Sequence, residues 1–205
     1  MAEKKQVAPM QPQTNVELVL PNIFGYGDQG VDDHGWGCVY RCVQTVQRYW
    51  HKRVMTVPQM RTLSIKHGGK PTADSNLKNK SITSLWIEPP CIRKCYLLPK
   101  TGRVVLFCPG DPTQFLQKSP IISNLTDFDC ILRTKEEWWT FLGDRLRTQK
   151  SPVIIDDKVC SYVVYGFDQD DVLIGDPHFP DRELRRRKIS LHLLLNKPWM
   201  AYSVL

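Results

Sequence analysis

No stretch of this chain is apolar for long enough to cross a membrane. Residues 1–14 carry Glu3, Lys4, Lys5, Pro9 and Pro12 and have no apolar centre, so they read as a flexible leader rather than a secretory signal. Zinc-knuckle spacing is missing. Cys38/Cys42 and Cys91/Cys95 are each separated by three residues, and no partner pair of histidines accompanies them. There is no internal repeat. The net charge of +7 would suit an acidic partner, but no base-stacking motif, zinc finger or recognition helix goes with it. The densest basic run, Arg185-Arg186-Arg187-Lys188, lies between Asp181, Glu183 and the apolar stretch 189–195, which reads as a solvated edge and not a nucleic-acid surface.

The 205 residues suffice for one packed domain, expected over 15–205, and the apolar and charged fractions are ordinary for a globular protein. Seven cysteines, an odd number, read as free thiols in a reducing compartment, and the expected location is cytoplasmic. A monomer is expected.

The stretch Asp33-His34-Gly35-Trp36-Gly37-Cys38-Val39-Tyr40-Arg41-Cys42 sets one cysteine between a glycine turn and an amphipathic run. Val39, Cys42, Val43, Val46 and Trp50 recur at helical spacing, while Gln44, Gln47, Arg48 and His51 fall mostly on the other side. Cys38 is thus expected at a helix N-terminus, where free N–H groups favour negative charge and the reactive thiolate. Taken alone, it would more often be a buried core cysteine. A nucleophile needs a base from elsewhere in the chain.

Other elements follow from local pattern. Residues 16–21 read as a short strand closed by Pro21, and Gly25–Gly30 as a turn-rich loop carrying Tyr26. Residues 57–65 read as a helix with Pro58 near its start, and 67–76 as a long polar loop. Ser84–Ile87 begins an apolar segment, and strands are expected at 95–98 and 103–108, with a further strand or loop at 127–132. A helix over 135–147 has Trp138, Phe141, Leu142 and Leu146 on one face and Trp139 more exposed. Strands at 152–155, 161–167 and 172–178 follow, with additions to the same core at 189–195 and 200–205. Helices before a strand-rich half point to an α+β fold.

Asp176-Pro177-His178 closes the last clear strand. Residues two apart in extended chain project to one side, and Pro177 restricts both itself and Asp176. A carboxylate and an imidazole held side by side form the orienter and base that a thiol nucleophile requires. The simpler reading is a surface Asp-Pro turn with an incidental histidine. His34 has no evident orienting neighbour, and His51, His67 and His192 read as structural. Joined, Cys38 on a helix start with Asp176 and His178 on a sheet make the papain-like plan, with acyl transfer through a thioester and no metal or cofactor. The backbone N–H of Cys38 and the Tyr26 hydroxyl are the candidate oxyanion donors.

These residues resemble the proteases specific for the ubiquitin-fold modifier, a small ubiquitin-like protein. The resemblance rests on Asp33, Gly35, Trp36, Gly37, Cys38, Tyr40, Arg41, Gln44 and Thr45, on Asp176, Pro177, His178 and Phe179, and on Tyr26, Trp86-Ile87 and Pro152–Ile155. It runs from about Tyr26 to Phe179, and the length suits the short members of the family. It implies an α+β papain-like fold with the nucleophile at a helix N-terminus, packed on an antiparallel sheet carrying Asp and His. It also implies Cys38, Asp176, His178 and Tyr26 as site residues. The implied activity is cleavage after the modifier's C-terminal glycine, in precursor maturation and in release from conjugates. The implied partners are that modifier and its conjugates.

The chain departs from the family pattern in three places. Asp156-Asp157 stand where glycines are usual, Glu88 where a glycine follows Trp-Ile, and Cys42 where a serine follows Tyr-Arg. The last is commoner among autophagins, which act on the autophagy modifier and also carry Gly-Trp-Gly-Cys and Asp-Pro-His. Autophagins usually have an apolar residue at the position of Tyr40 and a longer chain. An autophagin-like protease and a non-catalytic modifier-binding protein of the same fold are the alternatives.

Overall fold

The computed structural model describes residues 15–66, 103–117, 125–157 and 159–203. The expected leader, the loop at 67–76, His67, Trp86-Ile87, Glu88 and the strand at 95–98 lie outside the described residues.

Among the described residues eight strands form one sheet: β1 (Val16–Glu17), β2 (Arg103–Phe107), β3 (Cys130–Leu132), β4 (Val153–Asp156), β5 (Ser161–Asp168), β6 (Asp171–Gly175), β7 (Arg186–Ser190) and β8 (Trp199–Ser203). The order across it is β3-β2-β8-β4-β5-β6-β7, and β1 pairs with β5 beyond the end of β4. Every described pairing is antiparallel except β2 with β3, so the sheet is mixed rather than purely antiparallel. The reason lies in the connection. Between β2 and β3 the chain passes through α3 (Pro112–Gln117), and a crossover of that length lets the next strand run the same way. The first strand is shorter than the hydrophobic run at 16–20 suggests, although Leu18 still donates its backbone N–H to Tyr165.

Helix α1 (Cys38–Tyr49) lies across β4 and β5. Its first ten residues are all buried, polar side chains included. Val39, Cys42, Val43 and Val46 join Ile154, Ile155, Val163 and Val164 in one core. Burial of this kind stabilises by roughly 25 cal/mol per Å² of apolar surface. Helix α2 (Val57–Lys66) follows as expected, with Pro58 in its first turn. Helix α4 (Lys135–Gly143) begins at a capping box, Thr134 with Glu137, and passes into a π-helical turn at Asp144–Thr148. Trp139 is buried, not exposed, because its ring packs on Phe167 with centroids 4.1 Å apart. The 189–195 stretch divides into the end of β7 and the short helix α5 (Leu191–Leu195).

The basic run is only partly the solvated edge expected of it. Arg186, Arg187 and Lys188 lie exposed on β7, at the end of the sheet order. Arg185 is buried, because Asp28 accepts from both its terminal nitrogens at 2.8 and 3.1 Å. It also donates to the carbonyls of Ile23, Phe179 and Pro180. Its position fastens the loop before α1 to the chain after β6.

Candidate active site

The start of α1 is held by a buried ion pair. Asp33 and Arg41 are both fully inaccessible and meet through two bonds of 2.7 and 3.0 Å. Paired in this way, neither charge is left uncompensated in the interior. Asp33 also accepts the backbone N–H of Gly27 at 2.9 Å, and Arg41 donates to the carbonyl of Asp28 at 2.8 Å and to Gln44 at 3.0 Å. The two glycines of the motif act differently. Gly35 takes a left-handed conformation, φ 82°. Gly37 does not, at φ −86°, but a Cβ there would collide with the Asp33 carboxylate. The motif is thus a clamp that fixes where α1 begins.

Cys38 is the first residue of α1 and is 3 % exposed. Asp176 and His178 come immediately after β6 rather than within it, and His178 hydrogen-bonds with the sulfur. His178 Nδ1 donates to Asp176 Oδ1 at 2.6 Å, which leaves Nε2 for hydrogen bonding with Cys38. The backbone N–H of His178 also donates to Asp176 Oδ1, at 3.1 Å, and Arg187 donates to the second oxygen at 3.0 Å. Residues nearly 140 positions apart in sequence are in contact here.

The electrostatics follow the contacts. Burial pulls the His178 imidazole towards its neutral form. The bond to Asp176 and the nearby sulfur outweigh it, raising its pKa from 6.5 to about 9. Burial likewise pushes the Asp176 carboxyl up. The His178 ring and backbone N–H bonds reverse that and leave it below the ordinary carboxylate value. The pair therefore favours an imidazolium beside a carboxylate.

The Tyr26 ring lies edge-on to the His178 imidazole, with centroids 5.3 Å apart. Its hydroxyl is within hydrogen-bonding reach of Cys38, and burial, then the sulfur, pushes its pKa well up, so it stays a neutral donor. Its backbone N–H donates to the carbonyl of Pro177 at 2.9 Å, tying this loop to the turn that carries His178. Tyr162 also packs on this imidazole, with centroids 5.5 Å apart.

His34 has a neighbour after all. Asp32 meets its Nδ1 at 3.1 Å, but both are exposed, and the ring rests 5.2 Å from Tyr26. Cys38, Cys42, Cys108, Cys130 and Cys160 are free thiols, and Cys91 and Cys95 lie outside the described residues.

Sequence reasoning missed three participants. Arg187 was part of a charge run, and nothing local marked it as the partner of Asp176. Ser161 places its hydroxyl 3.5 Å from the Cys38 sulfur, and Asp156 accepts from that hydroxyl at 2.5 Å. Asp156 stood out only as an acid where glycine is usual. Asp157 instead caps the turn between β4 and β5, accepting the backbone N–H of Val159 and Cys160 and an ion pair from Lys197.

No family model matches the chain. It is 22 % identical over 209 residues to Ufm1-specific protease 2 of Gallus gallus, and 22 % over 212 residues to that of Homo sapiens. These alignments take in 94 % and 95 % of this chain but 38 % of each relative, so the chain spans little more than a third of the length of the curated relatives it matches. In fold it is similar to the crystal structure of UfSP from C. elegans, with a TM-score of 0.57 and 15 % identity over 97 % of this chain and 35 % of the other. The α+β, papain-like architecture is shared with that structure, and the sequence relationship runs to the Ufm1-specific proteases.

Proposed function

We propose that this chain, a relative in sequence and fold of the Ufm1-specific proteases, is a thiol protease that cleaves after the C-terminal glycine of a ubiquitin-fold modifier. The observation that carries the reading is the contact of His178 with both Cys38 and Asp176 at the start of a helix.

In this reading Cys38 is the nucleophile and its proton resides on His178 Nε2. Asp176 holds the imidazole through Nδ1 and stabilises the imidazolium; Arg187 holds Asp176 in turn. Attack on the glycine carbonyl gives a tetrahedral oxyanion, for which the Tyr26 hydroxyl and the Cys38 backbone N–H are the donors. The imidazolium then protonates the leaving amine, and water drawn on by His178 releases the thioester. Precursor maturation and deconjugation both follow from this chemistry, since each cuts the same glycine. The partners are the modifier and its conjugates, met by a monomer in the cytoplasm. No helix among the described residues is long and apolar enough to cross a membrane.

The test is a panel of ubiquitin-like modifiers bearing thiol-reactive C-termini, with adducts located by peptide mass mapping. An adduct on Cys38 with the ubiquitin-fold modifier, lost in Cys38→Ser while binding persists, is expected. An adduct with the autophagy modifier alone would make the enzyme autophagin-like. Binding without any adduct would make it a non-catalytic binder.

A further inference from the structure

We propose that the outer edge of β7 takes an extended acidic segment of a partner protein as an added strand. The proposal goes beyond the cleavage reading and does not depend on it. β7 ends the sheet order, and no strand among the described residues flanks its outer side. Its ladder with β6 fixes which backbone groups are free. Asp176 donates its N–H to the carbonyl of Arg185 at 2.8 Å, and Leu191 donates to that of Asp170 at 2.9 Å. In an antiparallel pair, directly opposite residues alternate between bonded and non-bonded. Arg187 and Ile189 therefore bond inward to β6, whereas Arg186 and Lys188 turn both N–H and C=O outward. Among the described residues no backbone group meets these outward ones.

The side chains of the edge decide what fits it. Arg186 and Lys188 share one face of the sheet, and Arg187 lies on the other. The Arg186 guanidinium lies over the Tyr165 ring at 5.7 Å, and Lys188 pairs with Asp168. The acids that face Lys188 are Asp168 on β5, Asp171 on β6 and Glu17 on β1. All three lie inboard of β7, so an incoming strand meets the cations first. Acidic side chains at alternate positions of that strand would stand directly opposite Arg186 and Lys188, and opposite charges so placed stabilise a cross-strand pair. The positions between them fall opposite Arg187, already engaged by Asp176 and stacked on Phe179, and opposite the half-buried Ile189. Apolar side chains suit those positions. Leu184 just before β7 and Leu193 just after it are exposed, which gives apolar ground at each end of the edge.

Other occupants fit less well. A second copy of this chain would set the lysine and arginine of one β7 against those of the other, and like charges directly opposite are destabilising. Segments 1–14, 67–102 and 118–124 of this chain each carry more lysine and arginine than aspartate and glutamate. The acidic strand is therefore supplied by another protein. Basic side chains on an edge also guard it against chance pairing. The same charges admit a strand of opposite sign, whose main chain supplies the bonds and whose alternate side chains supply the specificity.

The test uses the full chain and a short fluorescent peptide of alternating aspartate and valine. Binding is read by fluorescence polarisation, and amide hydrogen exchange is followed by NMR. The peptide is expected to bind and to slow exchange at Arg186 and Lys188, while Arg187 and Ile189, already bonded to β6, change little. The same peptide N-methylated at alternate residues keeps its charge, loses half its N–H donors and is expected not to bind. Lys188→Glu is expected to weaken binding of the aspartate peptide about fivefold and to improve binding of a lysine–valine peptide. Failure of the aspartate peptide to bind would overturn the proposal, leaving the basic side chains as guards of the edge. Equal affinity for the N-methylated peptide would also overturn it, because attraction would then be by charge alone. So would binding that leaves exchange at Arg186 and Lys188 unchanged, because the peptide would then lie elsewhere.

Discussion

The Asp33 carboxylate occupies the space that a side chain on Gly37 would need. One residue after that glycine comes Cys38, and the Gly37 N–H itself donates to the Asp33 carbonyl at 2.8 Å. Gly37→Ala is therefore expected to break the clamp from within. Either the new methyl group displaces Asp33 from Arg41, or α1 shifts away from its start. Overpacking of this kind costs about 1–3 kcal/mol. Denaturant titration should show that loss, together with slowed cleavage. A variant of native stability and rate would mean that the carboxylate has room to move.

Tyr26→Phe removes one hydroxyl and leaves the ring that packs on His178 and His34. An oxyanion donor acts in the transition state and not in the bound ground state. Turnover should fall by roughly 10²-fold, near the low end of the range for loss of a single such donor, with KM little changed. A rise in KM at constant kcat would instead make Tyr26 a contact for the modifier's tail.

The raised pKa of His178 makes a statement about pH. The folded protein holds the imidazole proton more tightly than the unfolded chain, whose value is near 6.5. The stability contributed by His178 is thus fully present below that value and is lost as pH rises through about 9. Asp176 acts in the opposite direction. Its lowered pKa contributes stability above the ordinary carboxylate value, and that stability is lost as pH falls through the folded value. NMR titration of the His178 ring protons should give a midpoint near 9. The alkaline limb of the cleavage profile should follow the same transition, because in the proposed mechanism the imidazolium is the acid that protonates the leaving amine. A midpoint near 6.5 would detach His178 from both partners.

Arg187 reaches Asp176 from an exposed strand, with about half of its own side chain in solvent. Solvent screens such a pair, so its contribution is small. Arg187→Gln is expected to lower kcat/KM by about fivefold, equivalent to about 1 kcal/mol, with the fold unchanged. The guanidinium also lies over the Phe179 ring at 5.0 Å, so Arg187→Lys should restore the charge but not the stacking. Full rescue by lysine would show that charge alone matters.

Local pattern made the site's parts legible because each part is locally constrained. The helical spacing after Cys38 appears as α1, and Pro177 between Asp176 and His178 holds acid and base together. The β-branched runs at 153–155 and 163–164 appear as the paired strands β4 and β5. Where the reading missed, a distant partner decided. Trp139 is buried because Phe167 comes to meet it, and Arg185 because Asp28 does. Position within the charge run could not separate Arg185 from Arg186, since both face the same neighbours in sequence.

By itself the sequence determined the local chemistry. It set a cysteine at the first turn of an amphipathic helix, a carboxylate and an imidazole two residues apart on restricted backbone, and glycine where bulk is excluded. The tertiary structure alone decided which of these groups share a proton. Hydrogen bonds act over about 3 Å, whereas Cys38 is separated along the chain by well over a hundred residues from His178 and Ser161. Only the stacking of α1 on β4 and β5 closes those gaps, and it brings the expected base and an unexpected serine to the same sulfur.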